Sequence, residues 1–197
     1  MRRLQVVFSV GASVGSVPPH IGVNCIRNVT FSDISFQLPF KMIYVKANPG
    51  TEGTGIVENI RYEHIRTVAP PNGTSTVLWT AIYIGPQQQQ QPGTAGTGCD
   101  FFWPVRGHCP TDPRVTMRDI SLANVTIAGA DSLPGIVLCD SANPCTGITF
   151  DNVHVAGAFV ERSDYACFNA DVASSASTPA PACLSGSPAA TVPIATK

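Results

Sequence analysis

Four segments of the chain repeat one spacing of apolar residues, and this repeat limits the possible folds more than any other feature. NVTFSDISF from Asn28, NIRYEHIRT from Asn59, DISLANVTI from Asp119 and GITFDNVHV from Gly147 align without gaps. Within each copy the apolar residues follow in steps of two, three and two. A step of two is typical of a strand, and one step of three reverses the side-chain phase. Each copy is therefore predicted to be two short strands that meet at a bend.

The repeat also predicts which side chains point inward and which residues form the corners. The inward residues are Val29, Phe31, Ile34, Phe36, Ile60, Tyr62, Ile65, Ile120, Leu122, Val125, Ile127, Ile148, Phe150, Val153 and Val155. The corner residues are Asn28, Asp33, Asn59, His64, Asp119, Asn124, Gly147 and Asn152. Asn, Asp and Gly tolerate the left-handed backbone that a sharp corner requires.

The copies are 31, 60 and 28 residues apart, counted at their first apolar position. Residues 86–113 are turn-rich and lack periodicity, and one long loop of these 28 residues accounts for the middle spacing. A third short strand is expected after each copy, at 42–46, 81–85, 135–139 and 158–162. Three short strands in each repeat of about 30 residues predict an all-β solenoid of parallel strands. An antiparallel β-sandwich is the alternative, although its strands rarely repeat one spacing in register.

Composition excludes several classes of partner. Charged residues are 13% of the chain and the net charge is −1, so capture of nucleic acid by bulk charge is not expected. No apolar run approaches the roughly 18 residues that span a bilayer. The four His residues lack metal-ligand spacing, and neither a metal nor a cofactor is predicted. We expect a soluble or secreted monomer.

The seven cysteines favour an oxidising, extracellular setting. Their spacing suggests disulfides that close local loops, since zinc sites prefer CxxC pairs and the chain has none. The disulfide candidates are Cys99, Cys109, Cys139, Cys145, Cys167 and Cys183. Cys25 is expected to be buried and free, or paired outside the chain. Glycosylation sequons begin at Asn28, Asn72 and Asn124. From residue 171 the chain is rich in Ala, Ser, Pro and Thr, and 171–197 is predicted to be a disordered tail.

An ordered series of motifs accompanies the repeat: SVGS at 13–16, IRNVTFSDISF, YVKANPGTEGTGIVENIRYEHI and LCDSANPCTGITFDNV. Over about residues 9–160 this series resembles the C-terminal half of family 28 glycoside hydrolases, the polygalacturonase group. The resemblance implies a right-handed parallel β-helix, here extending over 9–170. It also implies inverting hydrolysis of α-1,4-galacturonan or a related pectic polysaccharide, without a cofactor.

The sequence departs from that family at its catalytic positions. The family's catalytic carboxylates lie in N-T-D and D-D motifs, and neither motif occurs here. Val10 stands where the resemblance would place an assisting His, so no catalytic residue is assigned. The family's substrate-binding R-[IV]-K element reads Tyr44-Val45-Lys46. Lys46 is predicted to contact an acidic sugar as a point charge, and Tyr44 through its hydroxyl or ring face.

Two functions follow from this comparison. One is a polygalacturonase-type glycosidase of which this chain is a fragment without the catalytic aspartates. The other is a non-catalytic carbohydrate-binding or decayed β-helix protein. A calcium-dependent lyase is less favoured, because the sequence has no cluster of acidic ligands. Asp100, Asp112 and Asp140 lie in or next to loops and are not expected to form an acid pair.

Two segments have more than one interpretation. Residues 6–16, VVFSVGASVGS, could end a short signal peptide or be part of the family pattern beginning inside the β-helix, and the second is favoured. Residues 1–8 would then be a start not equivalent to the family, and an apolar N-terminal end would be exposed. In the long loop, Phe101, Phe102 and Trp103 could form a sugar-stacking edge or a plug held by Cys99 and Cys109.

Overall fold

A computed structural model of the chain describes residues 2–22, 24–48, 52–69, 78–88, 98–159 and 162–186. Within these ranges the protein is all-β, as predicted. The strands are β1 (Arg2–Ser9), β2 (Ala12–Val17), β3 (Cys25–Pro39), β4 (Ile43–Ala47), β5 (Gly55–Thr67), β6 (Leu78–Pro86), β7 (Val115–Leu138), β8 (Cys145–Gly157), β9 (Ala166–Phe168) and β10 (Ala170–Ser175). They form one sheet whose strands pair in parallel. No helix in the described ranges is long and apolar enough to cross a membrane.

The four repeated segments lie side by side in β3, β5, β7 and β8. Val29 pairs with Ile60, Ile60 pairs with Ile120, and Leu122 pairs with Phe150. This is the register that the gapless alignment predicts. Apart from Val29, which is partly buried, the predicted inward residues are buried in one apolar cluster. The repeat is therefore a stacking repeat, because each copy covers the apolar residues of its neighbours.

The corner residues adopt the predicted left-handed backbone. The φ angles lie between 53° and 66° at Asn28, Asp33, Asn59, His64, Asp119, Asn124, Gly147 and Asn152. The hydrogen-bonded ladders continue past these corners, so each copy belongs to one long strand rather than to two separate short ones. A single left-handed residue turns the chain without ending the pairing on either side.

Corner side chains also contact one another from strand to strand. Asn152 donates from Nδ2 to Asn124 Oδ1 at 2.8 Å, and Asn124 Nδ2 lies 3.5 Å from His64 Nε2. His64 Nδ1 in turn lies 3.5 Å from Asp33 Oδ1. This corner ladder links four strands at the protein surface. It explains why polar residues with short or planar side chains recur at the position.

Replacing Asn152 with Ala is expected to lower the free energy of unfolding by about 2 kcal/mol. Ala at a left-handed φ costs about 1–2 kcal/mol, and the hydrogen bond to Asn124 is lost as well. Asn152→Gly loses the same hydrogen bond without the backbone penalty, so urea unfolding of the two variants separates the causes. Equal losses in Ala and Gly would show that the backbone angle contributes nothing.

A second row of strands runs through β2, β4, β6, the end of β7 and β9. The third strands expected at 42–46, 81–85 and 135–139 fall in β4, β6 and β7. The expectation at 158–162 is wrong in its described part, because residues 158 and 159 form no strand. Instead β9 pairs its Ala166, Cys167 and Phe168 with the last residues of β7. The row thus gains its last strand several residues later than the apolar pattern suggests.

This second row carries apolar residues on both faces. On β4, Ile43 and Val45 join the main core, whereas the alternating Tyr44 belongs to a second cluster on the opposite face. That second cluster also contains Tyr83 and Trp103. The long connection between β6 and β7 supplies Trp103, so its described part around this residue packs on the sheet.

Strands near both ends of the chain pair with strands of the repeat. β10 pairs with β8, and Cys183 is bonded to Cys167. The tail boundary at 171 is therefore too early, because strand pairing and a disulfide hold the chain there. Residues 187–197 lie outside the described part. At the other end β1 continues the sheet against β3, and Val7, Phe8 and Val10 are exposed.

Candidate functional site

The pairing of β2 with β4 brings together the two motifs that sequence analysis singled out. Ser13 pairs with Tyr44 and Val14 pairs with Val45. The S-V-G-S segment therefore lies directly beside the Y-V-K segment, although residues 17–43 lie between them in the chain. The two motifs are therefore neighbours on the sheet.

Gly15 allows β2 to approach Lys46 closely. Its φ is 105°, and a Cβ built on it would lie 2.1 Å from the Lys46 carbonyl oxygen and 3.1 Å from Lys46 Cγ. No other residue can occupy this position without moving the backbone of β4. Next to it, the Ser16 hydroxyl donates to Gln87 Oε1. The S-V-G-S segment thus fixes the path of the chain around Lys46.

Lys46 is partly buried on the same face as Tyr44, as the strand alternation requires. Its Nζ lies 4.9 Å from the centroid of the Tyr44 ring, within the range of a cation–π contact. Burial lowers the pKa of Lys46 below its usual value. The structure therefore places a cation where the resemblance assigns a substrate contact.

Tyr44 is almost fully buried, with 1% of its surface exposed. Its hydroxyl oxygen accepts the Gln88 backbone N–H at 3.3 Å, and its ring meets Tyr83 edge to face at 5.1 Å. Burial raises the pKa of Tyr44 to about 12. The long connection covers this tyrosine, so the predicted saccharide contact of Tyr44 requires that connection to move. In the arrangement observed, the Tyr44 ring instead lies beside the ammonium group of Lys46.

Lys41 is a buried cation that sequence analysis missed. Only 1% of its surface is exposed, and its Nζ donates to Gln88 Oε1 at 2.5 Å. Burial, and secondarily the charge of Lys46, lower the pKa of Lys41 to about 7. No pattern signals this burial, since lysine is rarely found inside proteins. Its Nζ lies 4.4, 5.0 and 5.8 Å from the ring centroids of Phe40, Tyr44 and Tyr83.

The loop closed by Cys99 and Cys109 contains both a buried aromatic residue and an exposed one. Trp103 is buried and meets Phe168 at 6.2 Å, so it is a plug. Phe101 stacks on Phe40 at 5.6 Å and on Trp79 at 5.5 Å. Phe102 is exposed and has the Arg106 guanidinium 4.2 Å from its ring centroid. The aromatic edge that this loop exposes to solvent therefore consists mainly of Phe102.

The other disulfides join Cys139 to Cys145 and Cys167 to Cys183. Three disulfides are compatible with an extracellular protein. Cys25 is free, but it is exposed rather than buried as expected.

A small pocket lies at the carboxyl ends of β4, β6 and β7, and Asp112 and Asp140 both line it. Asp140 accepts the Thr111 hydroxyl at 2.6 Å and the Ala142 N–H at 2.8 Å. Asp112 forms an ion pair with Arg114 at 2.7 Å. Both carboxylates thus hold turns together, which favours a structural role over acid–base chemistry. No group of His, Cys, Asp or Glu in the described ranges could hold a metal ion.

Val10 lies in the turn between β1 and β2, with 51% of its surface exposed. The neighbouring Gly11 has a φ of 93°, and a Cβ on it would lie 2.4 Å from the Lys41 carbonyl oxygen. The turn therefore approaches β4 closely, as the S-V-G-S segment does. Val10 carries no group that could transfer a proton.

Comparison of the chain with protein-family models, with curated proteins and with solved structures found no match. The functional argument therefore depends on the residues and geometry described above.

Proposed function

We propose that this chain is a right-handed parallel β-helix of the polygalacturonase type that binds an acidic pectic polysaccharide. The observation that carries the proposal is the pairing of β2 with β4, which places Gly15 of S-V-G-S against Lys46 of Y-V-K. Two motifs separated in the sequence meet at one cation. Such convergence is expected if both motifs serve one binding site.

The strand order supports the β-helical part of the proposal. Strands about 30 residues apart pair in parallel along two rows, and β7 takes part in both rows. A solenoid with coils of this length produces such pairing, since each turn of the chain returns to lie beside the previous one. A sandwich would require antiparallel neighbours, and the ladders between the named strands are parallel.

The chemistry of Lys46 supports an anionic sugar as the ligand. A galacturonate unit carries one carboxylate, and an ammonium group binds it by a charge-assisted hydrogen bond. Cleavage would additionally require two carboxyl groups about 6.5–9.5 Å apart, one as acid and one to activate water. The sequence lacks the N-T-D and D-D motifs that supply them in the family. We therefore propose binding without hydrolysis for this chain, in an extracellular setting and as a monomer.

Lys46→Met is expected to weaken binding of an oligogalacturonate about tenfold, because loss of one charge-assisted hydrogen bond removes about 1.5 kcal/mol or more. The measurement is isothermal titration calorimetry at pH 6 and low salt. Arg61→Met is a matched control, since Arg61 is an exposed cation on β5. Equal loss in both variants would indicate general charge attraction and contradict a site at Lys46.

The same titration, together with an assay for reducing ends, separates the two candidate functions. Reducing-end release is expected to be absent, and hydrolysis by this chain would show that its catalytic residues have been missed. No binding by the unmodified chain would favour a decayed β-helix protein without a ligand. A neutral oligosaccharide of the same length should bind more weakly than the oligogalacturonate.

A further inference from the structure

Gln87 carries a buried polar group that the fold itself does not use. The residue directly follows β6 and has only 2% of its surface exposed. Its Oε1 accepts a hydrogen bond from the Ser16 hydroxyl, whereas Nε2 is buried and has no hydrogen-bond partner within the described ranges. Most buried polar groups in folded proteins have a partner, because an unpaired donor loses its hydration without compensation. Gln87 Nε2 can therefore donate to an acceptor from outside these residues.

The hydrogen bond between Ser16 and Gln87 passes over β4 at the position of Lys46. In the strand order, β4 lies between β2, which carries Ser16, and β6, which ends next to Gln87. The Gln87 backbone N–H donates to the Ala47 carbonyl at 2.8 Å, which fixes its level along β4. Ala47 and Val17 belong to the main core, so by alternation Lys46 and Ser16 lie on the opposite face. The Gln87 amide and the Lys46 side chain are thus neighbours on one face.

The two nitrogens on this face are both hydrogen-bond donors. The ammonium group of Lys46 donates and cannot accept, and the same holds for Nε2 of an amide. A carboxylate has two oxygens that accept hydrogen bonds, so one carboxylate can contact both nitrogens at once. The ammonium group supplies the charge, while the amide adds a second direction. This pair of donors suits an acidic group better than a neutral hydroxyl.

We propose that Gln87 Nε2 and Lys46 Nζ bind the two oxygens of one carboxylate of the saccharide. This inference rests on the proposed function, since it concerns the same ligand at the same cation, and it adds Gln87 as a second ligand-binding residue. The Ser16 hydroxyl holds the amide in place. Because Nε2 has no surface exposed to solvent, the ligand displaces the chain next to Gln87 when it enters. The site should therefore select a free acid over its methyl ester, which lacks the charge.

Replacing Gln87 with Leu is expected to weaken binding of an oligogalacturonate about tenfold, because one hydrogen bond to a charged acceptor is lost. Stability should not fall, since Leu replaces an unpaired amide by an apolar group of similar size. Calorimetric titration measures the affinity, and urea unfolding measures the stability. Gln37→Leu is the matched control, because Gln37 lies on β3 in the other row of strands and donates to the Ala69 carbonyl at 3.4 Å. Its binding should match that of the unmodified chain.

A comparison of the oligogalacturonate with its methyl ester separates ligand binding from a structural role. The unmodified chain should bind the acid more tightly, and Gln87→Leu should reduce this preference about tenfold. An equal loss for acid and ester would show that the substitution only distorts the site, and would overturn the assignment. If Gln87→Leu does not fold, Gln87→Glu gives the same test. Glu keeps an acceptor for the Ser16 hydroxyl but loses the donor, and its charge repels the acid.

Combining Lys46→Met with Gln87→Leu tests whether the two side chains hold the same carboxylate. If they do, the loss of affinity in the double variant is smaller than the product of the two single losses. A loss equal to that product would indicate separate contacts and overturn the shared site. Weaker binding in Lys46→Met with full binding in Gln87→Leu would overturn the role of Gln87 and leave the proposed function intact. Absence of binding by the unmodified chain would overturn both.

Discussion

Replacing Lys41 with Met is expected to abolish a pH dependence of stability that the unmodified chain shows between about pH 7 and 10. The pKa of Lys41 is lowered to about 7 by burial, and secondarily by the charge of Lys46, whereas an unfolded lysine titrates near 10.4. In this window the unfolded chain binds more protons than the folded chain. Stability therefore falls as the pH falls, by roughly 1.4 kcal/mol per pH unit and on the order of 4 kcal/mol in total.

The slope is a better measure than stability at one pH. Met removes a buried ammonium but leaves Gln88 Oε1 without its donor, which costs about 1–3 kcal/mol. Urea unfolding of both proteins at several pH values gives the difference in slope. Lys46→Met is the control, because it keeps Lys41 and should keep most of the dependence. A Lys41→Met variant with the original slope would show that Lys41 is not the titrating group.

The double variant Cys99→Ala, Cys109→Ala is expected to lose about 3 kcal/mol of stability. The disulfide closes a short loop, and its removal restores chain entropy to the unfolded state. The effect on the structure should be local, since this loop carries Trp103 onto the second apolar cluster. Release of the loop would expose Trp103 and open the cluster to which Tyr44 belongs.

Tryptophan fluorescence with a soluble quencher measures that exposure, and chemical unfolding measures the stability. Cys25→Ser is the matched control, because Cys25 is an exposed free thiol outside the loop. Its variant should quench like the unmodified chain. An unchanged emission and quenching rate in the double variant would show that packing holds the loop without the disulfide.

The stacking of the repeats could be predicted from the sequence because it depends on local periodicity. Val29, Ile60 and Ile120 occupy equivalent positions, and the structure pairs them as the alignment requires. The corner residues were predictable for a similar reason. Left-handed backbone favours Asn, Asp and Gly, so Asn28 and Asn152 could be predicted as corner residues from the repeat alone.

The surroundings of the candidate site could not be predicted in the same way. Tyr44 and Lys46 were identified from a motif, but the burial of Tyr44 depends on a connection without periodicity. Lys41 is buried because Gln88 and the rings of Phe40, Tyr44 and Tyr83 enclose it, and Tyr83 and Gln88 come from a distant part of the chain. Patterns of a few residues determine which strands form, whereas the covering of a sheet depends on long-range packing.

The second apolar cluster has a consequence for any ligand that reaches Tyr44. The free chain would be mainly in a closed form, with the loop seated and Trp103 and Tyr83 shielded from water. A saccharide that requires the open form binds only the fraction of molecules that have it, so its apparent dissociation constant exceeds the intrinsic one by the inverse of that fraction. Substitutions in the loop would then change the apparent affinity for the saccharide, although the residues that contact the sugar would be unchanged.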